Sequence, residues 1–134
     1  MDADLQTYIL LLVEDSSSDA ELVAEMLADH SAKQYDILKA TTISDAIHRL
    51  ETTQVDIILL DLHLPDGEGS GSVKVIRAAA GNIPIVVLTG INDEELALVC
   101  IDAGAQDYLA KEEIRPQTLR RAIGYAITRQ REAQ

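Results

Sequence analysis

The stretch VDIILLDLHLPDGEG, residues 55–69, decides the fold of this 134-residue chain. Five apolar residues, interrupted once, lead directly into Asp61, and proline, glycine and acidic residues follow. An apolar run of this length, bounded by turn residues, is typical of a strand that is buried on both faces of a parallel sheet. Asp61 therefore lies where a buried strand leaves the core. Its carboxylate is either solvated there or a reactive group.

Four further segments have strand character. YILLLV at 8–13 and IPIVVL at 83–88 are strongly apolar, whereas YDILKA at 35–40 and DYLAK at 107–111 are more mixed, as edge strands are. Helical apolar periodicity fills the intervals between these segments and the region after the last one. This alternation predicts an α/β fold: a flavodoxin-like (βα)5 domain whose five-stranded parallel sheet has the order 2-1-3-4-5, with helices on both faces.

Capping signals and apolar stripes predict where the helices lie. Ser18 and Glu21 form a capping box before the first helix, and Asn92 and Glu95 form one before the fourth, which Gly104 ends. The stripes that should face the core in these two helices are Leu22, Val23, Met26 and Leu27, and Leu96, Val99, Cys100 and Ala103. Two aliphatic residues of the fourth helix, Leu98 and Ile101, then point outward.

Composition limits the classes of function. A formal net charge of -12 argues against binding to nucleic acid or to an anionic membrane, because both are polyanions. A single cysteine excludes an internal disulfide framework and fits a reducing compartment, so we expect a cytoplasmic protein. One domain is expected over residues 1–134, with a core at about 6–130. The last helix runs to the end without a glycine stop, which is compatible with the N-terminal module of a longer protein.

Polar residues follow each central strand of the predicted sheet. The first strand is followed by Glu14 and Asp15, the third by Asp61, the fourth ends at Thr89 and Gly90, and the fifth at Lys111. Ligands of open α/β sheets bind beyond these carboxyl ends. Crowded carboxylates repel one another, and a divalent cation that prefers oxygen ligands, Mg²⁺ best of all, would relieve the repulsion. The threonine hydroxyl and the lysine ammonium could then bind phosphoryl oxygens.

The segments LLVEDSSSDAE, DIILLDLHLPDGEG, VVLTG and DAGAQDYLAKEE occur in an order and at a spacing that resemble the receiver domain of two-component response regulators. The resemblance covers about residues 6–130. It implies that Asp61 is the nucleophile that accepts a phosphoryl group from a histidine kinase or a phosphotransfer protein. It also implies that the protein is not an enzyme in the usual sense, because it catalyses only its own phosphorylation and dephosphorylation.

The resemblance implies roles for the other site residues. Asp15 would bind Mg²⁺ directly, Glu14 through water, and the backbone carbonyl of His63 would be a further ligand. Thr89 would donate a hydrogen bond to the phosphoryl group, Lys111 would pair with its charge, and Tyr108 matches the aromatic residue that turns inward when the threonine moves. The face of the fourth and fifth helices, where Leu98 and Ile101 lie, would then control an output domain, a partner protein or a phosphorylation-dependent homodimer.

Three departures from the family pattern stand out. Lys111 is followed by Glu112 where the family usually has proline, which puts a cis peptide bond in doubt. The sequence Ser-Gly-Ser follows Gly69 where the family often has a large aliphatic residue, so we expect a looser loop. Ile91 is apolar and could exclude the hydrolytic water, from which we expect slow self-dephosphorylation.

Three other interpretations share part of this pattern. A phosphatase of the haloacid dehalogenase type also uses an aspartate after a buried strand, but it requires a second carboxylate where this chain has His63. A degenerate receiver that acts as a scaffold would not need an intact acidic site. A flavodoxin would need a phosphate-binding loop after the first strand, where this chain has acids that repel phosphate.

Overall fold

The computed structural model describes residues 6–28, 33–90 and 92–133. Within these ranges strands and helices alternate in the order β1 (Gln6–Val13), α1 (Ser17–Leu27), β2 (Lys33–Ala40), α2 (Ile43–Thr52), β3 (Ile57–Leu60), β4 (His63–Leu64), β5 (Gly67–Glu68), α3 (Gly69–Ala80), β6 (Ile85–Thr89), α4 (Glu94–Ala103), β7 (Asp107–Ala110) and α5 (Pro116–Glu132). A turn of 3-10 helix over Lys111–Glu113 joins β7 to α5. Ile91, on which the expectation of slow dephosphorylation depends, lies outside the described residues.

Five of the strands form one parallel sheet in the order β2-β1-β3-β6-β7. Counted among the strands of this sheet alone, the order is 2-1-3-4-5, so the predicted flavodoxin-like topology is confirmed. The very short β4 and β5 pair with each other in the loop after Asp61, a hairpin that the sequence did not predict. In the main sheet Val13 lies opposite Leu60, and Leu60 lies opposite Val87. The residues that follow β1 and β3 therefore emerge side by side.

Alternate residues of the central strands point to opposite faces of the sheet. On β1 and β3, Leu11, Val13, Ile58 and Leu60 belong to a buried cluster that includes apolar residues of α2, α3 and α4. Their neighbours Leu10, Leu12, Ile57 and Leu59 belong to a second cluster with α1 and α5. The sheet is therefore covered by helices on both faces, as predicted, and the central strands are fixed from both sides.

The first helix begins two residues earlier than the sequence predicted. Ser16 is its N-cap, and the Ser16 hydroxyl accepts a hydrogen bond from the backbone N–H of Asp19 at 3.3 Å. The predicted capping box of Ser18 and Glu21 is therefore wrong, because both residues lie inside the helix. The shift places Asp19, rather than Glu21, in the first turn, close to the carboxyl edge of the sheet.

The fourth helix is capped by Asp93 instead of Asn92. The Asp93 carboxylate accepts hydrogen bonds from two free N–H groups of the first turn, at 2.9 and 3.3 Å. Asn92 has another partner, since its side-chain amide donates to Glu113 at 2.9 Å. The predicted end at Gly104 is confirmed, and Cys100 is buried on this helix.

Two residues of the predicted core stripes are exposed. Leu22 of α1 and Val99 of α4 are 48% and 49% exposed, although both were expected to face the core. Each is followed along the chain by a buried residue, Val23 or Cys100, so the buried stripe of each helix is narrower than the sequence predicted. Leu98 and Ile101 do point outward as predicted, with exposed fractions of 71% and 42%.

The loop after Asp61 is held more firmly than the sequence suggested. The Ser-Gly-Ser segment forms the first turn of α3 and not a loose loop, and Gly69 begins that helix with φ +65°. The Asp66 carboxylate accepts hydrogen bonds from the backbone N–H groups of Ile43 and Ser44 at 2.8 and 3.0 Å. These bonds hold the pKa of Asp66 below its usual value and tie the loop to α2. The Lys111–Glu112 peptide bond is trans.

Gly104 offers a test of the turn between α4 and β7. Its φ of +124° disfavours any side chain, and an added Cβ would lie 3.0 Å from Arg77 atoms. Arg77 donates to the Gly104 carbonyl at 3.0 Å, so displacing its side chain also disturbs this hydrogen bond. We expect Gly104→Ala to lower the free energy of unfolding by about 1 to 3 kcal/mol, measured by urea denaturation.

Gly71→Ala is the matched control. Gly71 lies in α3 with an ordinary φ and open space around its Cβ position. The same substitution there should raise the free energy of unfolding by about 0.4 to 1 kcal/mol, since alanine restricts the unfolded chain. Equal effects of the two substitutions would contradict the claim that the positive φ of Gly104 and the nearby Arg77 disfavour a side chain there.

Candidate functional site

A cavity of about 450 Å³ lies at the carboxyl edge of the sheet, between the ends of β1, β3 and β6. Its lining combines the acidic residues that follow the strands with a threonine, a glycine and a lysine from neighbouring loops. The residues that line it are Glu14, Asp15, Ser16, Asp19, Asp61, His63, Thr89, Gly90 and Lys111. The structure therefore brings together the residues that the sequence placed after the central strands, and it adds Ser16 and Asp19.

The buried carboxylates Glu14 and Asp61 are fixed by backbone hydrogen bonds that continue the sheet. The Glu14 N–H donates to the Ala40 carbonyl at 2.9 Å, and the Asp61 N–H donates to the Val13 carbonyl at 3.0 Å. Their side chains also accept hydrogen bonds, from the Ser16 N–H to Glu14 at 3.2 Å and from the His63 N–H to Asp61 at 3.3 Å. The apolar run of β3 thus holds Asp61 rigidly at the cavity floor.

Three carboxylates converge in the cavity. One oxygen from each of Glu14, Asp15 and Asp61 lies within 4.8 Å of the other two. Glu14 and Asp61 are buried, whereas Asp15 is exposed and faces the opening. Carboxylate oxygens with an open side for water are the environment that Mg²⁺ prefers. The donor set therefore fits this ion.

Lys111 neutralises part of this negative charge. Its ammonium nitrogen lies 2.5 Å from Glu14 Oε1, 2.7 Å from Asp19 Oδ2 and 3.3 Å from Asp61 Oδ2. Lys111 begins the 3-10 turn after β7, next to β6 at the sheet edge, and from there its side chain reaches across the cavity to β1 and β3. The site thus holds one cation among several carboxylates.

The environment shifts the pKa of both charged partners. Burial raises the pKa of Glu14 from 4.5 to about 7, and the nearby Asp61 adds to the rise, although the hydrogen bond from Lys111 lowers it. For Lys111, burial lowers the pKa, but hydrogen bonds to Asp19 and Glu14 outweigh this effect and raise the pKa above its usual value. Lys111 is therefore charged at neutral pH, whereas the Glu14 carboxyl group titrates close to neutral pH.

The raised pKa of Glu14 predicts how stability depends on pH. Between pH 4.5 and 7 the folded metal-free protein keeps a proton on Glu14 that the unfolded chain has released. The free energy of unfolding should therefore fall as the pH rises through this range. Urea denaturation at several pH values, with a chelator present, measures this slope.

Glu14→Gln is the control for that slope, because it removes the titrating group and keeps the side-chain shape. The decline between pH 4.5 and 7 should be smaller in this variant than in the wild type. Identical slopes for the two proteins would contradict the raised pKa.

Thr89 and Gly90 line the cavity at the end of β6, and Tyr108 lies on the neighbouring strand β7 outside this lining. Thr89 is buried at the end of β6, and Gly90 has no atoms within 4 Å of an added Cβ. Tyr108 is partly buried and packs against the cluster on the α2, α3 and α4 face. Burial raises the pKa of its hydroxyl, and the charges of Cys100 and Asp93 add to the rise, although a backbone hydrogen bond at Asp93 lowers the pKa.

The His63 side chain turns away from the carboxylates. It is 80% exposed, and its Nδ1 atom lies 3.5 Å from Glu68 Oε1 across the short β4–β5 hairpin. His63 is nevertheless among the residues that line the cavity. The role of its backbone carbonyl as a metal ligand stays a prediction.

Asp19 is the residue that sequence reasoning missed. It was overlooked because the helix start was assigned to Ser18, which put Asp19 one residue inside the helix and gave it no role. The sequence does contain a signal, since Ser16-x-x-Asp19 also has the spacing of a capping box. The acidic residue of that box contacts Lys111 instead of returning to the helix start.

The five-stranded parallel sheet and the acidic cavity at its carboxyl edge define an α/β domain that binds its ligand beyond the strand ends. A model of the response regulator receiver domain matches residues 10–124, so the chain belongs to this family of two-component signalling domains. Membership of this family excludes the haloacid dehalogenase and flavodoxin interpretations. A degenerate receiver also belongs to the family, and a phosphorylation assay distinguishes it from an active one.

Curated relatives agree with this assignment. The chain is 36% identical over 112 residues to the swarming motility regulation protein RssB of Serratia marcescens, a match that covers 84% of this chain and 50% of the relative. It is 30% identical over 102 residues to the KDP operon transcriptional regulatory protein KdpE of Escherichia coli (strain K12), covering 76% and 44%. The chain thus spans about half the length of the curated relatives it matches.

Solved structures also match. The receiver domain of the sensor histidine kinase PA1611 from Pseudomonas aeruginosa PAO1, with a magnesium ion coordinated in its active site cleft, has a TM-score of 0.74 and 28% identity, covering 91% of this chain and 98% of that one. A CheY-like receiver domain protein from Methanospirillum hungatei JF-1 has a TM-score of 0.80, covering 97% and 99%; at 22% identity it supports the fold alone. Among the described helices none has the length and hydropathy needed to cross a bilayer.

Proposed function

We propose that this receiver domain accepts a phosphoryl group on Asp61 and thereby switches the face of α4 and α5 that controls a partner or an output domain. The observation that carries the proposal is the convergence of three carboxylates, a buried threonine and a charged lysine on one cavity. A degenerate receiver would have no reason to keep this complete set.

The chemical step is a displacement at phosphorus. A carboxylate oxygen of Asp61 forms a bond to the phosphorus of a phosphohistidine or a small acyl phosphate. The bond from phosphorus to the donor nitrogen or oxygen breaks, and its electron pair leaves with the donor. Gly90 provides no side chain that would obstruct this approach, and its Cβ position is open. Lys111, 3.3 Å from Asp61, is close enough to pair with the incoming charge.

Mg²⁺ is the cofactor that the donor set favours. Asp15 and Asp61 would bind it directly, Glu14 through water, and the His63 carbonyl would complete the protein ligands. When bound, the ion neutralises charge on the phosphoryl oxygens during transfer. The Thr89 hydroxyl would then donate a hydrogen bond to an oxygen of the phosphoryl group. Its movement toward them would let Tyr108 turn further inward, which is a two-state element biased by a local change of charge.

Mass spectrometry of the purified domain with acetyl phosphate tests the proposed phosphoacceptor. The mass should increase by one phosphoryl group when Mg²⁺ is present and should stay unchanged when a chelator removes the ion. A folded protein that binds Mg²⁺ and gains no mass from acetyl phosphate or from any histidine donor would be a degenerate receiver, and the proposal would be wrong.

The outward aliphatic residues of α4 define the face proposed for output. Leu98 is 71% exposed and Ile101 42% exposed on the same helix that packs against Tyr108. Leu98 and Ile101 are three residues apart and therefore neighbours on one face of the helix, and adjoining exposed apolar side chains mark surfaces that bind other proteins. A phosphorylation-dependent homodimer, an output domain and a separate target are the candidate partners, and a histidine kinase or a phosphotransfer protein is the proposed donor.

Leu98→Glu is expected to weaken phosphorylation-dependent association through this face. Its charge would have to be desolvated on binding, which is unfavourable without a cationic partner. Analytical ultracentrifugation of the beryllofluoride-treated domain measures dimerisation, and pull-down of the output partner measures docking. Val75→Glu, at a 47% exposed aliphatic residue of α3, is the matched control. If Leu98→Glu behaved like this control in both assays, another face would carry the output.

The domain organisation and the location stay predictions. We propose one receiver domain over residues 1–134, acting in the cytoplasm as part of a two-component pathway. The coverage of about half of each curated relative supports the view that a receiver of this kind operates with a further domain.

A further inference from the structure

The pairing of Lys111 raises a question that the family assignment does not answer. An ammonium group has three N–H donors, and here three carboxylates lie around it. The two shortest contacts go to Glu14 at 2.5 Å and to Asp19 at 2.7 Å, whereas Asp61 is the most distant at 3.3 Å. In this state the lysine is therefore bound more closely by two other acids than by the proposed phosphoacceptor.

Asp19 differs from Glu14 and Asp61 in its position in the fold and in the exposure of its side chain. Glu14 and Asp61 follow strands and their side chains are almost fully covered, at 2% and 6% exposure, but the Asp19 side chain is 42% exposed. Asp19 belongs to the first turn of α1, which the Ser16 hydroxyl fixes by accepting its backbone N–H. The lysine thus bridges from the buried acids to a carboxylate at the outer side of the cavity.

We propose that Asp19 is a positioning residue that draws the Lys111 ammonium toward the outer side of the cavity and away from the Asp61 carboxylate. This inference rests on the proposed function, because it concerns the Mg²⁺ site of that function. A lysine and a divalent cation repel each other when they share the same carboxylates. By binding one of the three N–H donors, Asp19 leaves more of the negative charge of Asp61 for the metal.

The contact between Lys111 and Asp19 also affects the phosphorylated state of the site. When Asp61 carries a phosphoryl group, Lys111 must turn toward new anionic oxygens, and its contact with Asp19 competes with that movement. Asp19 therefore favours metal binding before transfer and opposes full engagement of the lysine after it. Both effects act through the Lys111 ammonium. Replacing Lys111 therefore separates them from the direct electrostatic effect of the Asp19 charge on the metal.

A double-mutant cycle with Mg²⁺ alone tests the proposal. The dissociation constant for Mg²⁺ is measured by calorimetry, without a phosphodonor, for the wild type, Asp19→Asn, Lys111→Met and the double variant. Asparagine keeps the size of the side chain and removes its charge. We expect Asp19→Asn to weaken Mg²⁺ binding about fivefold more when Lys111 is present than when methionine replaces it. The direct attraction between the Asp19 charge and the metal is common to both backgrounds and cancels.

Two further variants strengthen the test. Asp19→Glu keeps the charge on an exposed side chain that can still reach Lys111, so it should retain the wild-type affinity for Mg²⁺ within about twofold. Glu21→Gln removes a charge from the exposed side of the same helix and should leave the affinity unchanged. The ¹⁵N chemical shift of the Lys111 ammonium should change in Asp19→Asn and not in Glu21→Gln.

The outcomes separate this inference from the function beneath it. If Asp19→Asn weakened Mg²⁺ binding equally in both backgrounds, Asp19 would act by its charge alone and the positioning role would be wrong. If it had no effect in either background, the role would be wrong as well. If the wild type itself bound no Mg²⁺, the proposed metal site would fail, and the inference would fail with it.

Discussion

Asp61→Asn is expected to abolish phosphoryl uptake completely. The amide has no anionic oxygen to attack phosphorus. The neighbouring carboxylates have different surroundings, since Glu14 is held more closely by Lys111, at 2.5 Å against 3.3 Å for Asp61, and Asp15 is exposed. Intact mass spectrometry after incubation with acetyl phosphate and Mg²⁺ measures the uptake. The variant should remain unmodified under conditions in which the wild type gains one phosphoryl group.

The same variant should fold at least as well as the wild type. Its substitution removes a buried charge that raises the pKa of Glu14, so it relieves repulsion inside the cavity. Urea denaturation should show an unchanged or increased free energy of unfolding. Asp102→Asn, at an exposed position of α4, is the control for loss of one carboxylate elsewhere. Phosphate on folded Asp61→Asn would show that another residue is the acceptor.

Lys111→Met is expected to slow phosphorylation about 100-fold while Mg²⁺ binds more tightly. The Lys111 ammonium lies 3.3 Å from Asp61, and removing one charge-stabilising group of this kind costs a rate factor of about 10² to 10³. Metal binding should improve because a competing cation has left the carboxylates. Single-turnover kinetics with acetyl phosphate at saturating Mg²⁺ and calorimetry measure the two effects.

The opposite signs make this prediction specific. A variant that was merely misfolded would lose both phosphorylation and metal binding. Lys74→Met, at an exposed position of α3, removes the same charge without touching the cavity and should change neither quantity. A wild-type rate in folded Lys111→Met would contradict the role proposed for this lysine.

The sheet could be predicted from sequence because its signals are local. The uninterrupted apolar segments at β1, β3 and β6 require burial on both faces, and this requirement alone fixes them at the centre of a parallel sheet. The acids at their ends follow from strand direction. Glu14 and Asp61 were therefore found from the same runs that determine the fold.

Other parts of the site depend on contacts that sequence spacing does not encode. The bond between Lys111 and Asp19 joins residues 92 positions apart, and nothing in the local pattern of either residue indicates the other. The Asp66 carboxylate binds the start of α2 from 23 residues away. The strands of the hairpin beside it, β4 and β5, have two residues each and are too short for a periodic signal. Helix starts were wrong by one or two residues where several capping side chains compete, as at Ser16 and Ser18.

These misplacements have a common physical basis. The serines at 16, 17 and 18 offer three hydroxyl groups that can cap a helix, and the choice among them depends on where β1 delivers the chain. The backbone N–H of Ser16 is held by the Glu14 carboxylate at 3.2 Å, which sets the direction of the turn. The site therefore helps to determine the helix that supplies Asp19 to it.

The most direct test of the account is to identify the phosphorylated residue. The phosphorylated domain is treated with borohydride, which reduces an acyl phosphate to an alcohol, and its peptides are mapped by tandem mass spectrometry. We expect homoserine in place of Asp61, formed only in samples that contained both Mg²⁺ and acetyl phosphate. Reduction at Glu14, Asp15 or any other carboxylate, with Asp61 unmodified, would contradict the central claim.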